Sequence, residues 1–466
     1  MKTKQKSLIS NQGSITPSVV IICTAIIFTI YGLLFVLTNQ FNLTFRQTAY
    51  EQSLYIAEAG IQYYRWHLAH APGDFTDNTG QPGPYIHEYF DSQGHSVGYF
   101  SLDIIPPSDG SSLVVIQSTG WTNQFPNTKR TIEVTYGIPS LTRYSHLSNA
   151  SLWYGEGIVV HGRIHSNTGI RMDGINTSIV SSSQENYKCG ADTGCSPTQT
   201  KPGVWGAGPN SYLWYFPHPN IDFNGILLDF AFIKDESIDK GLYLPPTKGL
   251  FGYHIVFNQD GTFNVFSVTD TFSNHAYSIN EGCRRWYSRI KDETLIGTYS
   301  VSQIPIIFSE KDIWVNGVVN GRTTIAAAGF PLQAQKINIW INDNLTYLDK
   351  DSNHGLSLIA EDDIFLGRDV PNYFEVNAAL ITQNGKVMRH GYINNCGGNT
   401  SNAIRQSLTI YGSIVSNQKS YWNYGEDPLL SGFRERYLTY DANLEFNPPP
   451  YTPTNGEYEF ISWQEK

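Results

Sequence analysis

Ile15-Thr16-Pro17-Ser18-Val19-Val20-Ile21-Ile22-Cys23-Thr24-Ala25-Ile26-Ile27-Phe28-Thr29-Ile30-Tyr31-Gly32-Leu33-Leu34-Phe35-Val36-Leu37 is the stretch whose reading decides the fold. It carries no charge. Lys2, Lys4 and Lys6 precede it, and the next charge is Arg46. At ~1.5 Å rise per residue, roughly 23 helical residues span a ~30 Å hydrocarbon core. The run is too long for the apolar region of a secretory signal peptide, and no small-residue cleavage site follows it. The lysines favour a cytoplasmic N-terminus, so the chain beyond about residue 40 is expected on the far side of the membrane.

The helix is expected to continue past the apolar run. Gln40 to His70 contains no proline and one glycine, Gly60. Ala49, Leu54, Ile56, Ala57, Ile61, Tyr64 and Leu68 recur at helical spacing, the mark of a one-sided apolar face. Ala71-Pro72-Gly73-Asp74 supplies the stop. Residues 1–14 read as a cytoplasmic leader, and 15–71 as a spine helix on the order of 80 Å long. That spine is apolar all round in its first half and amphipathic in its second.

Asn11-Gln12-Gly13-Ser14, the apolar run, and Tyr50-Glu51-Gln52-Ser53-Leu54-Tyr55-Ile56-Ala57-Glu58-Ala59-Gly60-Ile61 together resemble the N-terminal region of PilX-type minor pilins of type IV pilus systems. The resemblance covers about the first seventy residues and extends weakly to residue 137. It implies assembly with other pilin-like subunits, with Gly13 at the processing step and Glu58 as the charge on the spine. The sequence departs from the usual prepilin pattern at Ser18, where most members carry glutamate. An ordinary signal anchor with a juxtamembrane helix is the competing reading.

Composition bounds the remainder. Among 466 residues, 15% are charged and 14% aromatic, a β-rich, extracellular type of balance. The net charge of −10 argues against general nucleic-acid binding, and no nucleic-acid partner is expected. Of the five cysteines, Cys23 lies in the apolar run. Cys189, Cys195, Cys283 and Cys396 form an even set in the exported part, expected as disulfides. Cys189 and Cys195 flank a short loop and are the most local pair, but sequence leaves all three pairings open.

The fold class expected is mainly β behind the long helix. Segments Tyr85–Phe90, Val97–Ile105, Leu113–Trp121 and Thr128–Gly137, separated by turn sequences, read as a small antiparallel head over residues 72–139. From 140 to 440 a different pattern recurs. Its best copies are Ile158-Val159-Val160-His161-Gly162-Arg163-Ile164-His165-Ser166-Asn167, Ile313-Trp314-Val315-Asn316-Gly317-Val318-Val319-Asn320-Gly321, and Leu408-Thr409-Ile410-Tyr411-Gly412-Ser413-Ile414-Val415-Ser416-Asn417. Alternate residues are apolar, and a glycine at fixed phase marks a corner or close approach. Short strands that cannot bury a face alone suggest a β-solenoid, or β-helix, with an insertion at about 181–301. A β-sandwich is the alternative. Gly252–Val268 reads as a hairpin turning at Asp260-Gly261. Residues 441–466 read as a proline-rich strap running back along the domain, anchored by Trp463.

No H-E-x-x-H, G-x-S-x-G, Walker or Rossmann motif is present, and no catalytic residue, metal or cofactor is expected. His161 and His165, on one predicted strand, lie ~13 Å apart and cannot share a metal. His67 and His70 have helical spacing, but a metal site there is not the favoured reading. Asp349-Lys350-Asp351-Ser352-Asn353-His354-Gly355 departs from a calcium loop in its glycine and at Ala360, and reads as a solvated turn. Glu361-Asp362-Asp363 also reads as a polar turn, with a glycan-cleaving carboxylate cluster as the alternative. Trp214 and Tyr215 are candidate sugar contacts, set against plain packing of the insertion. Two functions remain. One is a membrane-anchored, pilin-like subunit displaying an adhesive β domain to a surface glycan or host cell surface. The other is a membrane-tethered β-helix acting on polysaccharide.

Overall fold

The computed structural model describes residues 15–107, 111–221, 223, 230–351, 353–425, 428–454 and 456–466. The leader, with Gly13, lies outside the described residues. The chain divides into two compact units: Met1–Pro106, Val115–Thr135 and Phe460–Lys466 form the first, and Pro107–Val114 and Tyr136–Glu459 the second.

The first unit holds the spine helix, Ile15–His70. Pro17 sits in its first turn, where a missing N–H costs nothing. Beyond it lies a sheet in the order Tyr85–Phe90, Ser96–Ile105, Val114–Thr122, Lys129–Gly137 and Glu459–Glu465. The first three strands pair antiparallel. The four head strands fall within a residue of the segments expected from alternation. The fifth does not come from the head sequence: the C-terminal tail supplies it. Trp463, expected as a buried anchor, is 46% exposed. The strand pairs through its backbone, as when Lys466 N–H donates to the Thr131 carbonyl at 3.0 Å, so its place in the sheet does not require Trp463 to be buried.

The second unit is built of parallel strands stacked in columns. The longest column runs Leu242–Leu244, Ile306–Ser309, Arg322–Ala327, Gly355–Ala360, Tyr373–Thr382, Ile404–Ser416, His146–Ser148, Ile164–Ser166, Val180–Ser182 and Trp214–Tyr215. One register row through it reads Leu242, Ile307, Ile325, Leu358, Leu380, Ile414, His146, Ile164, Val180, Trp214. Every member but His146 is apolar. The spatial order is not the chain order. Residues 146–215 stack outward in one direction, and the chain restarts at Leu242 at the opposite end and returns to meet itself where Ile414 pairs with His146. A second column passes the same seam through Gly432–Tyr440, which pairs with Ile404–Ser416 on one side and Val159–His161 on the other.

The phased glycines are corners between columns. Gly412 (φ 149°) separates Ile410 from Ile414, and Gly162 (φ 112°) separates Val160 from Ile164. A Cβ at Gly412 would lie 2.0 Å from the Ala378 carbonyl oxygen of the neighbouring turn, so no side chain fits. This corrects the single-strand reading of residues 158–167. His161 and His165 belong to different columns. His161 is exposed, while His165 is buried with Nδ1 2.8 Å from Ser181 Oγ. The expected insertion is also redrawn, because Val180–Ser182, Trp214–Tyr215, Leu242–Leu244 and Gly252–Phe257 all join parallel ladders. What projects from the stack is a long antiparallel hairpin, Thr262–Ser278 with Gly282–Ser300. The hairpin expected over Gly252–Val268 is present in register. Cys189 pairs with Cys195, and Cys283 in the long hairpin with Cys396.

On the outer face of another column, Trp314, Trp340, Phe365 and Met388 stack in register beneath the long hairpin. His390 lies against Trp286, Phe365 and Trp340, with ring centroids at 4.2, 4.7 and 6.0 Å. Neither ring nitrogen has a hydrogen-bond partner. Burial, with the cations Lys386 and Arg389 nearby, holds its pKa down to about 3. Below the ~6.5 of a free imidazole, the unfolded chain binds a proton that the folded chain refuses, so stability is lost as pH falls from 6.5 toward 3. His390→Phe fills the same aromatic box without that linkage. Relative to the parent it is expected to gain about 2 kcal/mol more at pH 5 than at pH 7.5, since ~1.5 pH units below the free pKa corresponds to that energy. Urea melts at both pH values measure the difference, and an equal effect at the two would contradict a buried neutral imidazole.

Candidate assembly site

The spine helix meets two environments. From residue 15 to residue 48 every described position is exposed. The helix is long and apolar enough to cross a membrane, with mean hydropathy 2.8 over its most apolar window, none of it buried. Exposed side chains include Ile21, Phe28, Leu33, Phe35 and Phe41. Leaving each such side chain in water forfeits about 1.5–3 kcal/mol relative to burial. Four hydroxyls of this half are satisfied from within. The hydroxyls of Thr24, Thr29, Thr38 and Thr44 donate to the carbonyls of Val20, Ala25, Leu34 and Gln40 at 2.7, 2.8, 2.8 and 2.9 Å. This internal bonding lets a hydroxyl sit in hydrocarbon without an unpaired donor. Sequence reading treated these threonines only as uncharged; their use of the carbonyl one turn back is the signal it missed.

The second half lies on the sheet of its own unit. Its buried face is Ala49, Ser53, Ile56, Ala57, Gly60, Ile61, Tyr64, His67 and Leu68, at the spacing the sequence predicts. Val114–Thr122 alternates strictly, sending Val114, Ile116, Ser118, Gly120 and Thr122 inward. Close approach is set by missing side chains. A Cβ at Gly120 would fall 2.4 Å from the Ser53 carbonyl oxygen and 2.5 Å from Ala57 N, and one at Gly60 would fall 2.3 Å from Ser118 Oγ. Ser53 Oγ then reaches the Thr128 carbonyl at 2.9 Å and pins the helix to the strand turn.

The end of the helix is fixed by carboxylates. Asp74 accepts from Thr76 N and Oγ1 and from Asn78 N, and lies 2.9 Å from His67 Nε2. Those donors, Thr76 first, hold its pKa down to about 2. Asp77 receives the Tyr63 hydroxyl at 3.0 Å and faces His87 Nε2 at 2.7 Å. His67 is therefore committed to Asp74, and His70 Nδ1 lies 2.8 Å from the Trp66 carbonyl. Among the described residues no group of His, Cys, Asp or Glu is arranged to hold a metal. Glu58 is half-buried. Neither it nor Arg65, two turns further along the same helix, has a hydrogen bond or ion pair among the described residues, so the two do not pair.

The remaining candidates are placed as follows. Trp214 is half-buried against the end of the longest column, its Nε1 donating to Asn176 Oδ1 at 3.3 Å, while Tyr215 is 51% exposed beside it. Glu361 and Asp363 are buried, not solvated. The Glu361 carboxylate accepts Gly329 N–H at 2.8 Å. Asp363 accepts Lys386 N–H at 2.8 Å and is pushed up to about 6 by burial. These carboxylates bond backbone between turns of the stack. Asp349 is exposed, 3.4 Å from His354 Nε2.

No protein-family model matches the chain, and no curated protein matches it. Among solved structures, the crystal structure of the competence-associated pilin ComZ from Thermus thermophilus aligns over 90% of this chain and 98% of that one, at 14% identity and a TM-score of 0.32. A likeness at that level does not define a shared fold.

Gly120→Val places methyl groups where helix backbone now lies, an overpacking worth about 1–3 kcal/mol or more. Amide exchange across Val114–Thr122 and the docked half of the helix is expected to quicken at least tenfold, with Gly355–Ala360 unchanged. Unchanged exchange at the first two would show that the helix does not seat on the sheet as described.

Proposed function

We propose that the chain is a pilin-like, single-pass subunit that displays its β domain outside the membrane. The observation that carries this reading is the division of one continuous helix: a naked apolar half that needs hydrocarbon or other helices around it, and a half docked on its own sheet. Such a helix serves as an anchor before assembly and as a packing surface afterwards. Lys2, Lys4 and Lys6 set the N-terminus in the cytoplasm, so both β units lie outside. The Ala-Glu-Ala-Gly string from Ala57 to Gly60 narrows the reading to the PilX type, with neighbouring pilin-like subunits as partners. We read the columns of parallel strands as a β-solenoid serving adhesion at a surface glycan or host cell, and assign it no catalysis.

Glu58, unpaired among the described residues, is the group a neighbouring subunit would complement, since a carboxylate taken out of water needs a partner. In cells that assemble pili, Glu58→Ala is expected to lower the chain's share of sheared fibres severalfold, with both disulfides still formed. Protease applied from outside should digest residues beyond 140. Parent-like incorporation of the variant would remove Glu58 from assembly, and cleavage only from the cytoplasmic side would overturn the topology.

A further inference from the structure

The seam that joins the two ends of the stack is incomplete. Two columns cross it, but the third does not. On one side that column passes beyond Val387–Arg389 only through a lone parallel bridge from Met388 to Tyr421, and on the other Leu152–Tyr154, Ile170–Met172 and Val204–Trp205 form a separate sheet. The gap is a cleft of about 1630 Å³, larger than the ~300–1,000 Å³ of ordinary small-molecule pockets.

Arg436 lines this cleft from an unusual position. Its register row reads Phe374, Leu408, Arg436, and the row beside it reads Val376, Ile410, Leu438, Val160. Phe374 and Leu408 are core residues, so the arginine stands where the stack elsewhere buries an apolar side chain. No hydrogen bond, ion pair or ring contact satisfies it among the described residues, and burial lowers its pKa. Its neighbour Glu435 is turned to Gln406 and Tyr437. Of the other charges lining the cleft, Arg171 Nε lies 2.7 Å from Asp173 and Lys419 Nζ 3.2 Å from Asp192, while the exposed Arg434 has no ion pair among the described residues. Besides Arg171 Nε, which makes an ion pair but no hydrogen bond, the wall atoms without partners include Trp422 Nε1 and the Nε2 of His146, whose Nδ1 is bonded to the Tyr154 hydroxyl at 2.7 Å. Half-buried Trp153 and Tyr421 complete the walls.

We propose that this cleft binds a carboxylate-bearing oligosaccharide, with Arg436 forking onto a uronic or sialic acid carboxylate and Trp153 and Tyr421 receiving sugar faces. A guanidinium matches a carboxylate through two parallel bonds, and aromatic faces suit the apolar face of a pyranose. A nucleic acid fits less well, because it needs cations at successive phosphates. Here Arg171 and Lys419 face carboxylates, and the exposed Glu156 offsets the exposed Arg434, which leaves Arg436 as a single unmatched inner cation and no row of them. The size of the cleft suits several rings in a row. The proposal gives the displayed domain a ligand class and rests on the display reading only for its place at the cell surface. Binding in detergent and incorporation into fibres are measured separately, so failure of one is distinguishable from failure of the other.

The test is calorimetric titration of the detergent-solubilised full chain with hexamers of galacturonate, mannuronate and sialic acid, with methyl-esterified hexagalacturonate, and with single-stranded DNA. At least one acidic hexamer is expected to bind, and the ester is not. Arg436→Leu is expected to weaken binding at least tenfold while leaving the melting temperature equal or higher, because leucine is what the row holds at position 408. Arg436→Lys, which keeps the charge but loses the fork, is expected to fall between, and it serves as the test if the leucine variant does not fold. Binding of no acidic hexamer, equal binding of the ester, or parent-like binding by the variants would overturn the proposal. DNA binding that depends on Arg436 would overturn it in favour of a nucleic-acid site.

Discussion

The second unit depends on a contact between segments far apart in the chain: Ile414–Ser416 in parallel register with His146–Ser148. Backbone bonds close it at both ends, Ile414 N–H to the Ser145 carbonyl and Asn149 N–H to the Ser416 carbonyl, each at 3.0 Å. Side chains extend it beyond the strands. Asn149 Nδ2 donates to Asn417 Oδ1 at 2.8 Å, and Asn167 Nδ2 to Asn149 Oδ1 at 2.9 Å, so an asparagine ladder runs through the turn and across the seam. Closing a ladder between such distant segments demands a large loop entropy before any pairing rewards it. Gly432–Tyr440 then fills the second column between the two halves. In the third a lone bridge at Tyr421 extends the column, no strand among the described residues completes it, and the cleft bearing Arg436 follows from that mismatch.

In the first unit the controlling constraint is close approach. Gly60 and Gly120 let helix backbone and strand come together, and Ser53 fastens them. The same helix, one turn earlier, is bare. A soluble core helix would bury its most apolar window; this helix buries none of it and turns its threonine hydroxyls onto its own carbonyls. The two halves thus answer to different solvents, and that division supports an anchor or a packing spine better than a core element.

Much of this was legible because it depends on local periodicity. The spine, its break at Ala71-Pro72, the four head strands and the corner glycines Gly162 and Gly412 follow from residue spacing and from what glycine alone permits. The order of turns across the seam was not legible, since it depends on which distant edge meets which. Only the shared Ser-Asn steps at Ser148-Asn149, Ser166-Asn167 and Ser416-Asn417 hint at it. Glu361 and Asp363 read as solvated because their partners lie some twenty to thirty residues away in the chain, Gly329 for Glu361 and Lys386 for Asp363. Arg436, in Phe433-Arg434-Glu435-Arg436-Tyr437, draws no notice in the sequence; its inward position appears only when the register with Leu408 is known.

The central claim is that one helix serves an apolar medium in its first half and its own sheet in its second. Cys23 is the free cysteine among the described residues, and it is exposed, so it offers a native position for a spin label in the first half. A second label at position 66, through Trp66→Cys, reports the exposed side of the docked half. With the full chain in lipid vesicles, collision rates with oxygen and with a water-soluble nickel chelate measure both surroundings. The account predicts oxygen-dominated collisions at position 23 and chelate-dominated collisions at position 66. Free access of the chelate to both labels would contradict it.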